Sequence, residues 1–390
     1  MTTTPDRQPP RRGLPWAAVA LAVVSTASPA VAQQPSPAAP SGPQISGIIY
    51  THYRYGGGPA DRSDNRFDIE RVYVNVRSAL GDGLSARVTA DVFQQIDTTR
   101  AGYYRGWAIR AKYAYVQYDA WRGETPPLGL RTGVRLGMLN TVVIEQIEEF
   151  WPRFISRTTI DRAGFMSSAD LGAAVYATTV GGGAEFYATV TNGEGYQRGE
   201  IDRFKDYAAR VTLRPFAGTP GLLRRLAIVP WGSLGSRRSA FATGPGTVEP
   251  VTSGVQRDRW GVFAGYRAAR LSAGAEYAVR IDGLETADTL VDVRPQPGRA
   301  TSRVVAGFVA ARPLALIDTS WTAPLGLVLR AERMTSTTAP SGRGTFVIAG
   351  ATWDLSSRVS IALDYQEEAR RDAFQGPDTR TYFLHAMARF

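Results

Sequence analysis

Short stretches in which apolar and polar residues alternate recur from about residue 44 to the end of the chain. In the segment YAARVTL, for example, Val211 and Leu213 alternate with Arg210 and Thr212. Successive side chains of a β-strand point to opposite faces, so this period of two predicts strands with one apolar and one polar face. About sixteen such segments occur, each close to the length that a tilted strand needs to cross a bilayer.

The connections between these segments alternate in length. Four are tight, namely Gly81–Gly83, Gly181–Gly183, the single step at Arg270, and Asp354–Arg358. Long polar insertions lie between them: Gly56–Asn65, Gln95–Gly106, Gly193–Arg203, Ser236–Asp258, Asp282–Ser302, Met334–Gly344 and Glu368–Arg380. Short turns at one end and long loops at the other are typical of an outer-membrane β-barrel. The connection Arg312–Pro324 is too long to fit this scheme as a short turn.

The pattern therefore predicts an all-β fold, a transmembrane antiparallel β-barrel of about sixteen strands. Lipid offers no hydrogen bonds to an exposed sheet edge, so a sheet in a membrane has to close on itself. A barrel of this size is too wide for its own side chains to fill, which leaves an aqueous channel.

Alternation stops between the predicted strands Leu128–Met138 and Leu171–Ala177. Long loops are uncommon in compact folds and are usually functional. Our hypothesis is that this third long loop, Asn140–Ser168, folds into the lumen and narrows the pore. Trp151 and Phe154 are expected to pack it in place. Its charged residues could form a transverse field at the constriction or pin the loop to the wall arginines, and the two uses are not exclusive. They are Glu145, Glu148, Glu149, Arg153, Arg157 and Arg162.

If the apolar faces of the strands meet lipid, the opposite faces line the pore. These faces carry many arginines: Arg71, Arg77, Arg87, Arg131, Arg135, Arg210, Arg214, Arg267, Arg280 and Arg330. Guanidinium is always charged and presents a fork suited to phosphate or carboxylate, and rings of arginine in a pore favour anions. The alternative interpretation is that these arginines pair with acids of neighbouring strands and only brace the wall.

The start of the chain predicts export. A basic pair, an apolar run over Leu14–Val24 and an Ala-Val-Ala cleavage pattern indicate a secretory signal peptide over residues 1–32. Residues 33–43 are rich in Pro, Ser and Ala and are interpreted as a flexible linker. Residues 44–390 would then form the barrel, and the expected location is an outer membrane of the Gram-negative type.

Composition narrows the chemistry. The chain has no cysteine, which excludes disulfides and thiol catalysis, and its two histidines, His52 and His385, are far apart in sequence. No metal site and no cofactor are therefore expected. The net charge of +10 is almost entirely arginine, since the lysines are Lys112 and Lys205. Basic chains often bind nucleic acid, but these arginines are dispersed along strands of an exported chain, so no nucleic-acid partner is expected.

Several segments together resemble the phosphate-selective porin O/P family: NRFDIERVYVNVRSAL, RAKYAYVQYD, VRLGMLNT, DLGAAVY, FYATVTNGEGY and DYAARVTLRPF. The resemblance extends from about Asn65 to Phe216. It implies a sixteen-stranded barrel, usually a homotrimer, whose third external loop folds inward, with Arg71 at the family's recurring inward arginine. The last strand, TYFLHAMARF, ends on an outward Phe390, which is familiar as an outer-membrane assembly signal. Because this chain has two lysines and more acids than arginines in its loop, phosphate selectivity is not carried over.

The function expected from these patterns is an outer-membrane porin for passive diffusion of small hydrophilic solutes, with a preference for anions such as phosphate or chloride. The expected partners are outer-membrane lipid and two further copies of the chain. One alternative is a non-conducting barrel with an envelope-structural or adhesion role, and another is a soluble all-β domain. A lipid hydrolase built on Ser and His is disfavoured because His385 falls on the predicted inward face, so no enzymatic activity is expected.

Overall fold

The computed structural model describes residues 42–58, 64–97, 104–121, 125–238, 254–284, 298–318, 324–337, 342–372 and 378–390. The predicted signal peptide and nearly all of the linker lie outside these residues. The strands are β1 (Gln44–Gly56), β2 (Asn65–Gly81), β3 (Leu84–Asp97), β4 (Tyr104–Asp119), β5 (Leu130–Asn140), β6 (Ala169–Thr179), β7 (Ala184–Thr191), β8 (Asp206–Leu213), β9 (Leu226–Leu234, with a second segment Ser236–Arg238), β10 (Gly254–Arg267), β11 (Leu271–Leu284), β12 (Gly298–Ala311), β13 (Leu325–Ser336), β14 (Gly342–Asp354), β15 (Val359–Asp372) and β16 (Thr379–Arg389).

The two segments of β9 form one strand. Both pair antiparallel with β10, Leu226–Leu234 along its second half and Ser236–Arg238 along its beginning, with a break at Gly235. The described part of the chain therefore contains sixteen barrel strands, each antiparallel to the next along the sequence. This agrees with the strand number that the alternating pattern predicts.

The barrel closes between its first and last strands. β1 pairs antiparallel with β16, and the register places His52 opposite His385. At the seam the backbones of Gly47 and Phe390 exchange two hydrogen bonds, of 2.8 and 3.0 Å. The strands that the structure describes thus leave no sheet edge open, which is what a sheet in lipid requires. The prediction of a closed transmembrane antiparallel barrel is confirmed.

The connections alternate between the two ends of the barrel as predicted. At the short-turn end, β2 and β3 are joined through Asp82 and Gly83, both with positive φ. The predicted single step at Arg270 was wrong in detail, because residues 268–270 separate β10 from β11. The connection that looked too long for a turn, Arg312–Pro324, contains a short helix, Pro313–Ile317. Among the described residues, no helix is both long and apolar enough to cross a membrane.

At the other end several strands extend beyond their predicted bounds. β3 runs to Asp97 and β4 begins at Tyr104, so only six residues separate them where the pattern predicts a longer insertion. A run of polar residues does not by itself end a strand. The backbone hydrogen bonds between antiparallel strands continue beyond the lipid, whatever the side chains are. The long loops are consequently shorter than predicted.

The side chains divide between two faces. Leu329 and Leu363 expose 54% and 62% of their surface on the outside of the barrel, while their inward neighbours Arg330 and Asp364 are buried. The outer face is therefore apolar and the inner face polar, as the alternation predicts.

Candidate functional site in the barrel lumen

The third loop crosses the lumen. We use L3 for residues 141–168, which join β5 to β6 and contain the helices α1 (Ile144–Glu148) and α2 (Thr159–Arg162). Three of its aromatic rings meet rings on distant strands: Phe150 and Phe263 are 5.3 Å apart, Trp151 and Phe308 5.1 Å, and Phe154 and His385 6.5 Å, measured between centroids.

These contacts fall on β10, β12 and β16, far around the barrel from the strands where L3 begins and ends. A loop that reaches those walls has to lie inside the cylinder. The predicted inward fold of the third loop is confirmed.

Apolar packing holds L3 on two sides. Ile144, Ile147 and Phe150 belong to one buried cluster with Val229 and Phe263 of the wall. A second buried cluster contains Trp151, Phe154 and Ile155 of the loop together with Val328, Phe346 and Ile348 of the wall. Both clusters remove apolar surface from water inside an otherwise polar lumen, so the loop is fixed by burial as well as by charge.

Arginines of the wall also bind the main chain of L3. Arg210 Nη1 donates to the carbonyl of Val142 at 2.9 Å, and Arg330 Nη1 donates to the carbonyl of Arg157 at 2.6 Å. Farther along the loop, Arg280 Nη1 donates to Gly164 at 3.0 Å. Charged donors make stronger hydrogen bonds than neutral ones. These inward arginines therefore act partly as anchors for the loop.

The acids of L3 face arginines of the wall. Glu145 lies 3.3 Å from Arg87 and Glu149 lies 3.9 Å from Arg214. Burial raises the pKa of the Glu149 carboxyl, while nearby Arg214 acts to lower it. Burial likewise raises the pKa of the Glu148 carboxyl. Glu148 and Glu149 therefore hold their negative charge less strongly than freely hydrated carboxylates do.

The arginines of L3 are matched by acids as well. Arg153 lies 2.8 Å from Glu70 of β2 and 3.3 Å from Glu148 of the loop itself. Arg157 lies 3.9 Å from Asp161, one helical turn away. Each of these arginines lies beside an acid. The acids and arginines of L3 therefore do not face each other across an open gap, as a transverse field would require.

Arg162 completes this matching through two acids of the wall. It pairs with Glu332 of β13 and lies 3.3 Å from Glu368 of β15. Of the two hypotheses for the charged residues of L3, the contacts favour pinning of the loop over a transverse field.

The ten arginines expected to face the lumen fall into two groups. Six of them form ion pairs with acids: Arg71 with Asp91, Arg87 with Glu145, Arg210 with Glu185, Arg214 with Glu149, Arg280 with Asp282, and Arg330 with Glu332. The other four form no ion pair with any residue that the structure describes; they are Arg77, Arg131, Arg135 and Arg267. Pairing with acids of the wall or of L3 therefore accounts for six of the ten arginines.

The unpaired group is not spread evenly. Arg77 is near the end of β2, Arg131 is the second residue of β5, and Arg267 is the last residue of β10. All three residues therefore lie near the short-turn end of the barrel, on the short-turn side of L3. Arg135 lies four residues farther along β5, on the same face as Arg131. Of the ten arginines expected to face the lumen, those without an ion pair are therefore concentrated in the short-turn half.

Two functional positions were missed by the period-two pattern because β-bulges shift it. The register between β1 and β2 slips at Glu70, and that between β3 and β4 slips at Lys112. A bulge places an extra residue in one strand, so two successive residues no longer alternate between the faces. Glu70 thereby reaches Arg153, and Lys112 Nζ donates to the hydroxyl of Tyr73 at 2.9 Å.

L3 separates two hollows in the lumen. A cavity of about 680 Å³ on the long-loop side is lined by Phe165, Asp206 and Arg257, among others. A cavity of about 480 Å³ on the short-turn side is lined by residues that include Phe150 and Arg267. Within the described part of the chain, no cluster of three or more His, Asp or Glu side chains could hold a metal ion. L3 thus lies between two hollows of the lumen, which we call the long-loop vestibule and the short-turn vestibule.

Solved structures share this architecture. The chain is similar to the anion-selective porin from Comamonas acidovorans, with a TM-score of 0.58, 13% identity, and 89% of this chain and 99% of that chain covered. It is also similar to OmpF of Salmonella typhi in complex with daunomycin (0.55, 10%, 89% and 97%) and to OmpT of Vibrio cholerae (0.55, 14%, 89% and 97%). At these identities the likeness shows the fold, which is that of a porin-like β-barrel. No family model and no curated protein sequence matches this sequence.

Proposed function

We propose that the protein is an outer-membrane porin through which small hydrophilic solutes diffuse passively, with a preference for anions. The observation that carries the proposal is the group of four inward arginines, Arg77, Arg131, Arg135 and Arg267, that form no ion pair with the described residues. Like charges lining a low-dielectric channel raise the local concentration of counter-ions. Chloride and phosphate are the expected small anions.

The paired arginines contribute less to this preference. A guanidinium beside a carboxylate, such as Arg210 beside Glu185, presents little net charge to an ion passing in the channel. The acids Glu148 and Glu149 of L3 are themselves matched by Arg153 and Arg214, so they also present little net charge to a passing ion. The balance along the constriction and the short-turn vestibule therefore favours anions.

Measurement of the reversal potential across a planar bilayer in a KCl gradient tests the proposal. We expect anion preference for the wild type, reduced by more than half in the triple variant Arg77→Gln, Arg131→Gln and Arg267→Gln, since three of four such charges are removed. A control triple, Arg66→Gln, Arg371→Gln and Arg380→Gln, removes the same charge from exposed arginines that pair with acids near the long-loop rim. Cation preference of the wild type, or an equal effect of the two triples, would contradict the proposal.

Membership of the phosphate-selective porin O/P family is proposed on the sequence resemblance alone, and phosphate is not proposed as a selected solute. Assembly as a homotrimer in outer-membrane lipid, after removal of a signal peptide over residues 1–32, belongs to the same proposal. It is supported by the apolar outer face of the barrel and by the trimer form described for OmpT of Vibrio cholerae. The proposed function involves no catalysis.

The second candidate is a non-conducting barrel, and the packing of L3 inside the lumen is the observation that supports it. The loop contributes to two buried apolar clusters and is anchored by several wall arginines. A lumen filled in this way could serve an envelope-structural or adhesion role. Bilayer recording separates the candidates, because a plugged barrel gives no discrete current steps.

A further inference from the structure

Arg135 lies in an unusual setting on the inner wall. Its neighbours on the same face of β5 are Gly133 and Gly137, so the guanidinium is not crowded along its own strand. Tyr176 of β6 occupies the space beside Gly133, where an added Cβ would come within 2.2 Å of the tyrosine hydroxyl. On the other side, Gly137 is paired with Tyr115 of β4.

Aromatic rings surround this guanidinium. The Arg135 Cζ atom is 5.2 Å from the ring centroid of Tyr115, 5.2 Å from that of Tyr176 and 5.5 Å from that of Tyr187. Contacts at these distances are attractive and orient the cation. Three strands, β4, β6 and β7, thus each contribute one tyrosine to the surroundings of a residue on β5.

The polar partners of Arg135 are neutral. Its Nε donates to the side-chain oxygen of Gln117 at 2.8 Å, and its Nη1 donates to that of Asn140 at 3.0 Å. The nearby acids are engaged elsewhere: Asp119 accepts from Tyr176 and from Gln117, and Glu145 lies beside Arg87. The side chain is fixed in direction without having its charge cancelled by a direct contact.

This combination distinguishes Arg135 from the other arginines near aromatic rings. Arg110, for instance, lies over Phe93 at 3.9 Å but forms an ion pair with Asp91. Arg87 and Arg210 contact tyrosines but pair with Glu145 and Glu185. Among the described arginines with such ring contacts, Arg135 is the one that forms no ion pair with a described residue. It is also only partly buried.

We propose that Arg135 and its three tyrosines form a binding site for small aromatic carboxylates in transit through the pore. The inference rests on the proposed anion-preferring function and names a substrate class for it. The carboxylate accepts hydrogen bonds from the guanidinium N–H groups that Gln117 and Asn140 do not occupy. The aromatic ring of the solute packs against the tyrosines, which favour edge-to-face or offset contacts with another ring.

Saturation-transfer NMR on the folded full-length protein in detergent micelles tests the site with benzoate as the probe. We expect benzoate to bind the wild type, and acetate and cyclohexanecarboxylate to bind several-fold more weakly because they lack an aromatic ring. In the variant Arg135→Gln the affinity for benzoate should fall roughly tenfold or more, since a charge-assisted hydrogen bond is lost. Empty micelles provide the background signal.

Arg66→Gln is the control, because it removes the same charge from an exposed arginine that pairs with Asp68 and lies outside the group proposed to concentrate anions. We expect it to bind benzoate as the wild type does, and Arg135→Lys to fall between because it keeps the charge but loses the fork. Equal binding of the three carboxylates, or equal losses in Arg66→Gln and Arg135→Gln, would overturn the site. Binding is measured without ion flow, so failure of the site is distinguishable from failure of anion preference in a KCl gradient.

Discussion

Replacement of Glu332 by glutamine should loosen the third loop and destabilise the barrel more than any other single change of charge considered above. Glu332 is 4% exposed and pairs with both Arg330 and Arg162. It also accepts a hydrogen bond from the hydroxyl of Thr159 at 3.1 Å. Removing the carboxylate leaves two guanidiniums without this buried partner, and breaking a buried pair costs about 3–5 kcal/mol.

Two measurements report the expected loss of stability and the release of L3. The free energy of unfolding in denaturant should fall by an amount of that order, and single-channel currents should become larger and noisier as L3 moves away from the wall. Glu367→Gln is the control, since Glu367 pairs with Arg380 at 3.3 Å where the two side chains are 34% and 55% exposed. An exposed pair contributes about 0–1 kcal/mol. Equal stability and unchanged currents in the two variants would show that L3 is not held through Glu332.

Replacement of Trp151 by alanine should also free the loop, through packing instead of charge. The indole is 2% exposed, stands edge-on to Phe308, and donates from Nε1 to the carbonyl of Ser156 at 2.7 Å. Truncating a buried tryptophan costs about 3–5 kcal/mol. We expect the loop to lose its contact with β12, and the conductance to rise roughly twofold or more as the lumen that the loop had filled opens to water.

The control for this variant is Trp260→Ala. Trp260 is 46% exposed on the outer face and lies beside Tyr277 at 5.7 Å between ring centroids. Its loss should leave the conductance unchanged, because no part of L3 contacts the outer face. A Trp151→Ala channel with wild-type conductance would mean that L3 does not limit the flow of ions.

The general architecture was readable from the sequence because it follows from one repeated pattern. Alternation as regular as that of Val211 and Leu213 with Arg210 and Thr212 leaves a strand in lipid only one orientation. The break in alternation after Asn140 marked the loop that enters the lumen. The bounds of the outer strand ends were predicted poorly, since hydropathy does not report where backbone pairing ends.

The contacts of the candidate site were much less predictable. Four of the six arginine–acid pairs join residues that are distant in sequence, as with Arg87 and Glu145, and no local pattern specifies which acid meets which arginine there. The other two, Arg280 with Asp282 and Arg330 with Glu332, join residues two apart on one face of a strand. Glu70 and Lys112 escaped detection because each sits at a bulge, where one extra residue shifts the faces. The surroundings of Arg135 depend on side chains from β4, β6 and β7. The sequence alone does not show how these strands align with β5.

The account depends most on the assignment of alternate residues of one strand to water and to lipid. The chain contains no cysteine, so single cysteines can be introduced at Arg131, Val134, Arg135 and Leu136 of β5 without background. In lipid vesicles, a charged, membrane-impermeant thiol reagent should modify the variants at 131 and 135 and leave those at 134 and 136 unmodified. Equal labelling at all four positions, or labelling confined to 134 and 136, would contradict an aqueous, arginine-bearing lumen.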